Sequence, residues 1–389
     1  MSDSSSPSSG TLSSPAPIFR TPHSHWGGPG RGPVMPPKRS AAQLACDEEE
    51  FYKRKKARAD ADPLEKLGKH MARTLDLFEA MNPMLEAGLT HEGEDTMFMA
   101  EHEPQLYRRV RLYQALRDLS EELEQRLGID GSDTLDVVAK LVEKGRSEAR
   151  TEDTSKLKGT IYDILKRIFG HDAVKALDRR RKAGRGFHHD LTGRLLTPCE
   201  MDWDTDEDRR RLKAGEAGEA TSALHFPSFM FGSRYKGSPG HRFKEFMMND
   251  LMLRVALAIF IAPSAATADD VLRSRSNRKG NAELHHMSEM TVPSLAYLAL
   301  QVRFALSAEE TFSKGGQDTF DYSRFYYSVI ELLENDLMKT TTARILEWYN
   351  ARVFPLGKVV EPGLSPTGTA ALMLKELEDL AGSSSSEGQ

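Results

Sequence analysis

From Pro63 onward apolar residues recur every three or four positions, and this spacing does most to decide what such a chain can fold into. Leu64, Leu67, Met71, Leu75 and Phe78 share one helical face, so a second surface has to cover them. Pro104 opens another stripe, formed by Leu106, Val110, Tyr113, Leu116, Leu119, Leu123 and Leu127, which runs to Gly128. That is roughly three heptads, for which packing within the chain is the ordinary outcome and self-association the alternative. A third helix is expected beyond a Ser132 cap, a fourth over 157–169 ended by Gly170, and a short fifth over 172–182. Strand-like alternation is hard to find.

Farther along, 196–240 is turn-rich, and its aromatics set among Gly and Pro predict an ordered loop packed by its own side chains. A strongly apolar helix is predicted over 241–261, stopped by Pro263. Pro293 starts another, and FDYSRFYYSVIELLEND and TTTARILEWYNARVF supply two more, ending the core near Pro355. The expected fold is therefore mainly α, an irregular multi-helix domain preceded by amphipathic helices, with disordered N- and C-terminal tails. The expected divisions are a Ser/Pro/Gly-rich disordered arm over 1–62, an amphipathic helical segment over 63–164, a helical core over 165–356, and a linker, short helix and tail over 357–389.

Composition removes several classes of function. The two cysteines, Cys46 and Cys199, offer neither a disulfide framework nor a cysteine-rich zinc site, which points to a reducing compartment. The longest apolar run, 251–262, is interrupted by Arg254 and falls well short of the roughly 20 residues that span a bilayer, so no membrane partner is expected. The first residues lack the basic-then-apolar order of a secretory signal. A net charge of −5 argues against a generally basic surface, so local clusters matter more.

Three such clusters stand out. Lys38 and Arg39, a spacer of 13 residues, and then Lys53, Arg54, Lys55 and Lys56 match a bipartite nuclear-import pattern that could lie extended in an acidic groove of an import receptor. Between 166 and 185 eight basic residues, among them Arg179, Arg180, Arg181 and Lys182, outnumber Asp172 and Asp178. Arg273, Arg275, Arg278 and Lys279 form the third. Convergence of the last two would make an anion- or nucleic-acid-binding surface; as separate solvated helix ends they would only complement the negative C-terminal dipoles.

Metal and catalytic patterns are weak. Asp202, Asp204 and Asp206 alternate as in a calcium loop, but Glu207 stands where that loop needs glycine and Lys213 where it needs a bidentate glutamate. A helix N-terminus is the better reading. The pairs His188–His189 and His285–His286 have no cysteine at ligand spacing, so neither a metal nor a cofactor is expected. There is no phosphate loop, nucleophile elbow or zinc-protease helix; an enzyme would need His189, His285 and an acid such as Asp202 to meet in one pocket. Phe320, Tyr322, Phe325, Tyr326, Trp348 and Tyr349 could stack bases, but at helical spacing they are expected in the core.

LTPCEMDWD at 196–204, FPSFMF at 226–231, RKGNAELHHM at 278–287, TVPSLAYLALQVRFALS at 291–307, the FYYSVIELLE helix and EWYNARVFP appear in a distinctive order. Over roughly 165–356 the chain resembles an uncharacterised domain family expanded in mushroom-forming fungi. That resemblance implies no activity and assigns no site residues. The polar part of the run, Asn277 and Asn281 with His285, Gln301 and Arg303, is expected either to satisfy buried backbone groups or to line a cleft. The sequence as a whole points to a nuclear, non-catalytic protein that binds protein partners through helical surfaces. Cytoplasmic residence and nucleic-acid binding remain as alternatives.

Overall fold

The computed structural model describes residues 62–94, 96–127, 131, 133–232, 245–268, 287–312, 314–316 and 319–354. The expected arm before Asp62 and the tail from 355 onward lie outside them. Helix α1 (Pro63–Thr74) begins where Asp62 accepts the Leu64 N–H at 2.8 Å and Pro63 takes a first-turn position that needs no N–H donor. The apolar stripe continues only to the helix end; Leu75 is its cap and Phe78 lies in the following turn. Helices α2 (Met81–Thr90), α3 (Thr96–His102), α4 (Pro104–Asp118) and α5 (Glu121–Leu127) follow. The predicted helix from Pro104 is thus broken at Leu119 and Ser120, where the chain turns.

The third and fourth predicted helices are one: α6 (Leu135–Phe169) runs for 35 residues, about 50 Å at the usual rise, and ends at Gly170 with φ 89°. The divide expected at 164/165 falls inside it. Covering the α1 stripe is the work of α6, with α2, α4 and α5 contributing Met84, Leu85, Tyr113, Leu116 and Leu123 to the same small core. Packing inside the chain therefore covers most of both early stripes, Leu119 staying exposed. The contact of α1 with α6 is unusually close. A Cβ on Gly68 would lie 2.0 Å from the Val142 carbonyl oxygen, and one on Gly145 would lie 1.9 Å from that of Glu65. Only glycine at both positions lets the two backbones touch.

The main core gathers around the second half of α6. Helix α7 (Asp190–Leu196) and α8 (Asp206–Ala214) lie on its periphery, α9 (Asp250–Ala256) passes into a π-turn over Leu257–Ile261, and α10 (Pro263–Thr267) follows. Helix α11 (Val292–Leu306) is its axis, with Leu295, Tyr297, Leu298, Leu300 and Val302 all excluded from solvent. Its Thr291 cap accepts the Ser294 N–H and donates to the Thr74 carbonyl at 2.7 Å, which fastens the end of α1. A hairpin the sequence did not suggest, β1 (Lys314–Gly316) with β2 (Thr319–Asp321), pairs Lys314 with Asp321. It leads into α12 (Tyr322–Glu334), and α13 (Lys339–Val353) completes the described chain. Tyr322, Phe325, Tyr326 and Tyr349 are fully buried, and Phe320 and Trp348 partly so, as expected of core aromatics.

Two further expectations are corrected. The predicted helix at 172–182 is a single 3₁₀ turn (Asp172–Val174) followed by irregular chain, because Asp178 draws the Arg180 and Arg181 N–H groups onto its carboxylate. The predicted helix at 241–261 starts only at Asp250, where Asn249 accepts the Met252 N–H at 3.1 Å; residues 245–247 form a turn and 233–244 lie outside the described residues.

A buried polar chain ties three helices together. Arg73 on α1 donates through Nε and Nη2 to Asp153 on α6 at 2.8 and 3.1 Å, and both side chains are fully shielded from solvent. The Tyr297 hydroxyl on α11 donates to Asp153 at 2.9 Å and accepts from Gln301 at 3.0 Å. Burial, reinforced by the neighbouring carboxylate, pushes the Tyr297 phenol well above its usual range, so it remains a donor. Removing one partner leaves a charge stranded in the core. Arg73→Ala is expected to lose about 3–5 kcal/mol in urea unfolding of the full chain, and the double variant Arg73→Met/Asp153→Leu to lose less than either single change.

Candidate binding cleft

A cleft of about 490 Å³ opens beside the C-terminal end of α6. One wall is α7 and the turn after it. His189 caps α7 by accepting the Leu191 N–H through Nδ1, and burial lowers the basicity of that ring against the pull of Asp190. After α7 the chain crosses to Phe226–Ser228: the Cys199 N–H donates to the Phe226 carbonyl at 2.9 Å, and both the N–H and the hydroxyl of Ser228 donate to the Thr197 carbonyl. Thus the LTPC and FPSF stretches, 30 residues apart in the chain, become adjacent strips of one wall. Trp203 folds back under them, its indole N–H on Asp190 at 2.8 Å.

The opposite wall is a turn with two residues in the left-handed region, Glu245 at φ 64° and Met247 at φ 58°. Strain of about 1–3 kcal/mol per residue has to be offset by surrounding packing. Here that packing is the burial of Phe246 and Met247, the Met247 N–H on the Met230 carbonyl at 2.6 Å, and the Asn249 amide on the Phe229 carbonyl at 3.0 Å. The turn places Glu245 at the mouth of the cleft.

Inside, the lining is apolar, with Ile168, Leu191, Leu195, Phe229 and Leu251. Among the described residues, four carboxylates stand at the edge: Asp204 is paired with Arg194 at 2.7 Å and Asp250 with Arg254 at 2.9 Å, and Asp202 and Glu245 stand beside them. Asp202 also accepts the Asp204 N–H, and Asp206 sits in the first turn of α8, so the DWDTDED run organises a helix entry, as expected, as well as this rim. Cys199 is buried in the wall with its thiol on Glu200 at 3.1 Å.

The basic cluster at 166–185 does not form a continuous surface. Arg179 holds Asp163 through both Nε and Nη2. Lys182, expected on the surface, is turned inward, its ammonium on the Glu309 carbonyl and over the Phe304 ring. Arg185 is buried likewise, donating to the Ala305 and Lys158 carbonyls at 2.8 and 2.6 Å. Arg185 also reaches the Asp178 and Arg179 carbonyls at 3.3 and 3.4 Å, so the two inward cations join the irregular chain before α7 to α6 and to the end of α11. Arg180 and Arg181 alone of the four stay exposed beyond the Arg179 pair.

Gln301 and Arg303 are not among the residues that line this cleft. Gln301 belongs to the buried polar chain, and Arg303 lies 3.1 Å over the Phe320 ring with its Nη1 on the Tyr322 hydroxyl. Asn277, Asn281, His285, Arg273, Arg275, Arg278 and Lys279 fall outside the described residues, as do Lys38, Arg39, Lys53, Arg54, Lys55 and Lys56. Among the described residues no three His, Cys, Asp or Glu side chains gather as metal ligands. No described helix is long and apolar enough to cross a membrane.

Far from the cleft in sequence, α3 shows a different surface. Met99 anchors it against Ala87 and Val110, while Met97 and Phe98 are 79% and 62% exposed. The Phe98 ring is stacked on His102 at 4.3 Å.

A family model described as a family of unknown function, DUF6698, matches residues 144–354, more than half of the chain. The chain belongs to this family. Searches of curated proteins and of solved structures find no match. The DUF6698 match contains every residue lining the cleft and begins inside α6, about half a helical turn past the Val142 contact with α1. It leaves out α1 to α5, and with them Arg73, Met97 and Phe98.

Burial, aided by the nearby charge of Arg185, pushes the Lys182 ammonium down to about 7. Between that value and the ordinary lysine range the unfolded chain carries a proton that the folded one lacks, so this residue makes stability rise with pH across the window. Urea midpoints measured from pH 7 to 10 are expected to show the wild type gaining on Lys182→Met by up to about 1 kcal/mol per pH unit.

Proposed function

We propose that this chain is a nuclear, non-catalytic interaction protein that engages protein partners through its upstream helices, with α3 as the contact. The observation that carries the reading is the outward placement of Met97 and Phe98 on a helix whose other side is anchored by Met99. Large apolar side chains set together in water mark a surface kept for association. Glu94, Glu101 and Glu103 stand exposed around them, so the matching partner surface is an apolar groove with a basic rim. Residence in the nucleus is supported by the bipartite basic pattern of Lys38, Arg39, Lys53, Arg54, Lys55 and Lys56.

Nucleic-acid binding is the second reading: Lys166, Arg167, Lys175, Arg180 and Arg181 stand exposed, although Arg179 is committed to Asp163 and Lys182 to the core.

Two measurements test the reading. Replacing Lys53, Arg54, Lys55 and Lys56 by alanine in a fluorescent fusion is expected to shift the protein from nucleus to cytoplasm; unchanged nuclear accumulation removes that part. Met97→Ser/Phe98→Ser is expected to shift the unfolding midpoint little, since both side chains are mostly exposed, and to lose proteins that the wild type retains from nuclear extract at matched concentration. An identical retained set from both forms would set the α3 contact aside.

A further inference from the structure

We propose that the cleft beside α7 is the docking site of a segment of this same chain, residues 369–381, which lays an apolar face against the cleft lining. In TAALMLKELEDLA, Met373, Leu377 and Leu380 stand at i, i+4 and i+7 with Leu374 beside them, the anchor spacing with which an amphipathic helix enters a groove. Lys375, Glu376, Glu378 and Asp379 fall on the other side, Leu372 with them. A helix of this length is marginal in water unless its apolar face is covered. The cleft supplies a concave apolar surface, formed by Ile168, Leu191, Leu195, Phe229 and Leu251.

The place where the described chain ends favours this occupant. On α13 the Tyr349 hydroxyl donates to the Met247 carbonyl at 2.6 Å, and Met248, the next residue, lines the cleft. Phe354, packed against Phe260, is only five residues farther on, about 7.5 Å of helix. Residues 355–368 then extend up to about 45 Å, enough for 369–381 to reach the cleft without disturbing α13. The exposed face of α3 suits this segment less well, because Glu94, Glu101 and Glu103 around it would meet Glu376, Glu378 and Asp379. In the cleft the contact is apolar, and the charges of the segment stay in water. The family match ends at Phe354, so the occupant comes from outside the matched region, and any other helix entering the cleft has first to displace it. This docking is independent of the α3 contact, which lies upstream of the family match.

The test uses the full chain, a second full chain carrying Met373→Ser/Leu377→Ser/Leu380→Ser, and a synthetic peptide of residues 367–383 titrated into each by calorimetry. The three substitutions lie outside both described cores, so the comparison does not depend on a core variant folding. The serine chain is expected to bind the peptide at least about tenfold more tightly than the wild type, whose own segment competes at the high effective concentration of a tethered group. Raising sodium chloride is expected to change the affinity little, because screening acts on charges and not on apolar contact. Met97→Ser/Phe98→Ser is expected to leave the result unchanged. The peptide with benzoylphenylalanine in place of Leu374 is expected, on irradiation, to join residues within 191–203 or 228–251 of the serine chain. Equal binding by the two chains, binding by neither, or photoproducts only outside those stretches overturns the proposal. A wild type that sediments as a dimer beside a monomeric serine chain also overturns it, by making the occupant the segment of a second copy.

Discussion

Arg73 and Asp153 form a fully buried ion pair that only the correct assembly of α1, α6 and α11 can satisfy. An isolated charge in such a core costs several kcal/mol, and the pair is tolerable because its remaining hydrogen-bonding capacity is met by Tyr297, by the Lys69 carbonyl and, one step further, by Gln301. Any register of α1 other than the observed one would take Arg73 away from Asp153. The same register is imposed sterically by Gly68 and Gly145, which let the backbones approach only at one crossing. Two unrelated constraints therefore select one arrangement, the condition under which a buried polar group contributes to uniqueness of structure.

This arrangement changes how the family region is to be understood. The residues matched by the family model supply Asp153, Tyr297 and Gln301, whereas Arg73 comes from the preceding segment. The matched region by itself would lack Ala72 and Leu77 from the main core and would leave Asp153 without Arg73. The structural unit thus extends upstream of the family boundary, and α6 is shared by both cores. The functional surfaces divide differently. The cleft lies wholly inside the family match, while the exposed face of α3 lies wholly outside it.

Around the cleft, structural and binding roles are carried by the same short stretches. Asp190 starts α7 and also holds the Trp203 indole, and Asp202 organises a turn while its carboxylate stands at the rim. Two stretches on which the sequence resembles a family, LTPCEMDWD and FPSFMF, both contribute to the cleft wall. The strained Glu245–Met247 turn is the exception, because local sequence preference works against it.

The sequence by itself determined that the chain is helical, where Pro63, Pro104 and Pro293 start helices, that the Phe320–Tyr349 aromatics are core, and which family the second half resembles. These follow from local periodicity and from backbone rules that act over a few residues. Tertiary structure alone decided that the helices flanking residues 151–156 are one, since the polar run TEDTSK there ends no helix once Asp153 has Arg73 to pair with. It also decided that Lys182 and Arg185, counted as surface charge in the sequence, are consumed by carbonyls of the core, because a cation's exposure depends on what the fold brings beside it. The cleft was equally invisible, as its walls come from residues 168–251 and no spacing rule relates Leu195 to Phe229 or Asp202 to Glu245. Pairing across the fold, set by burial and charge, places them together.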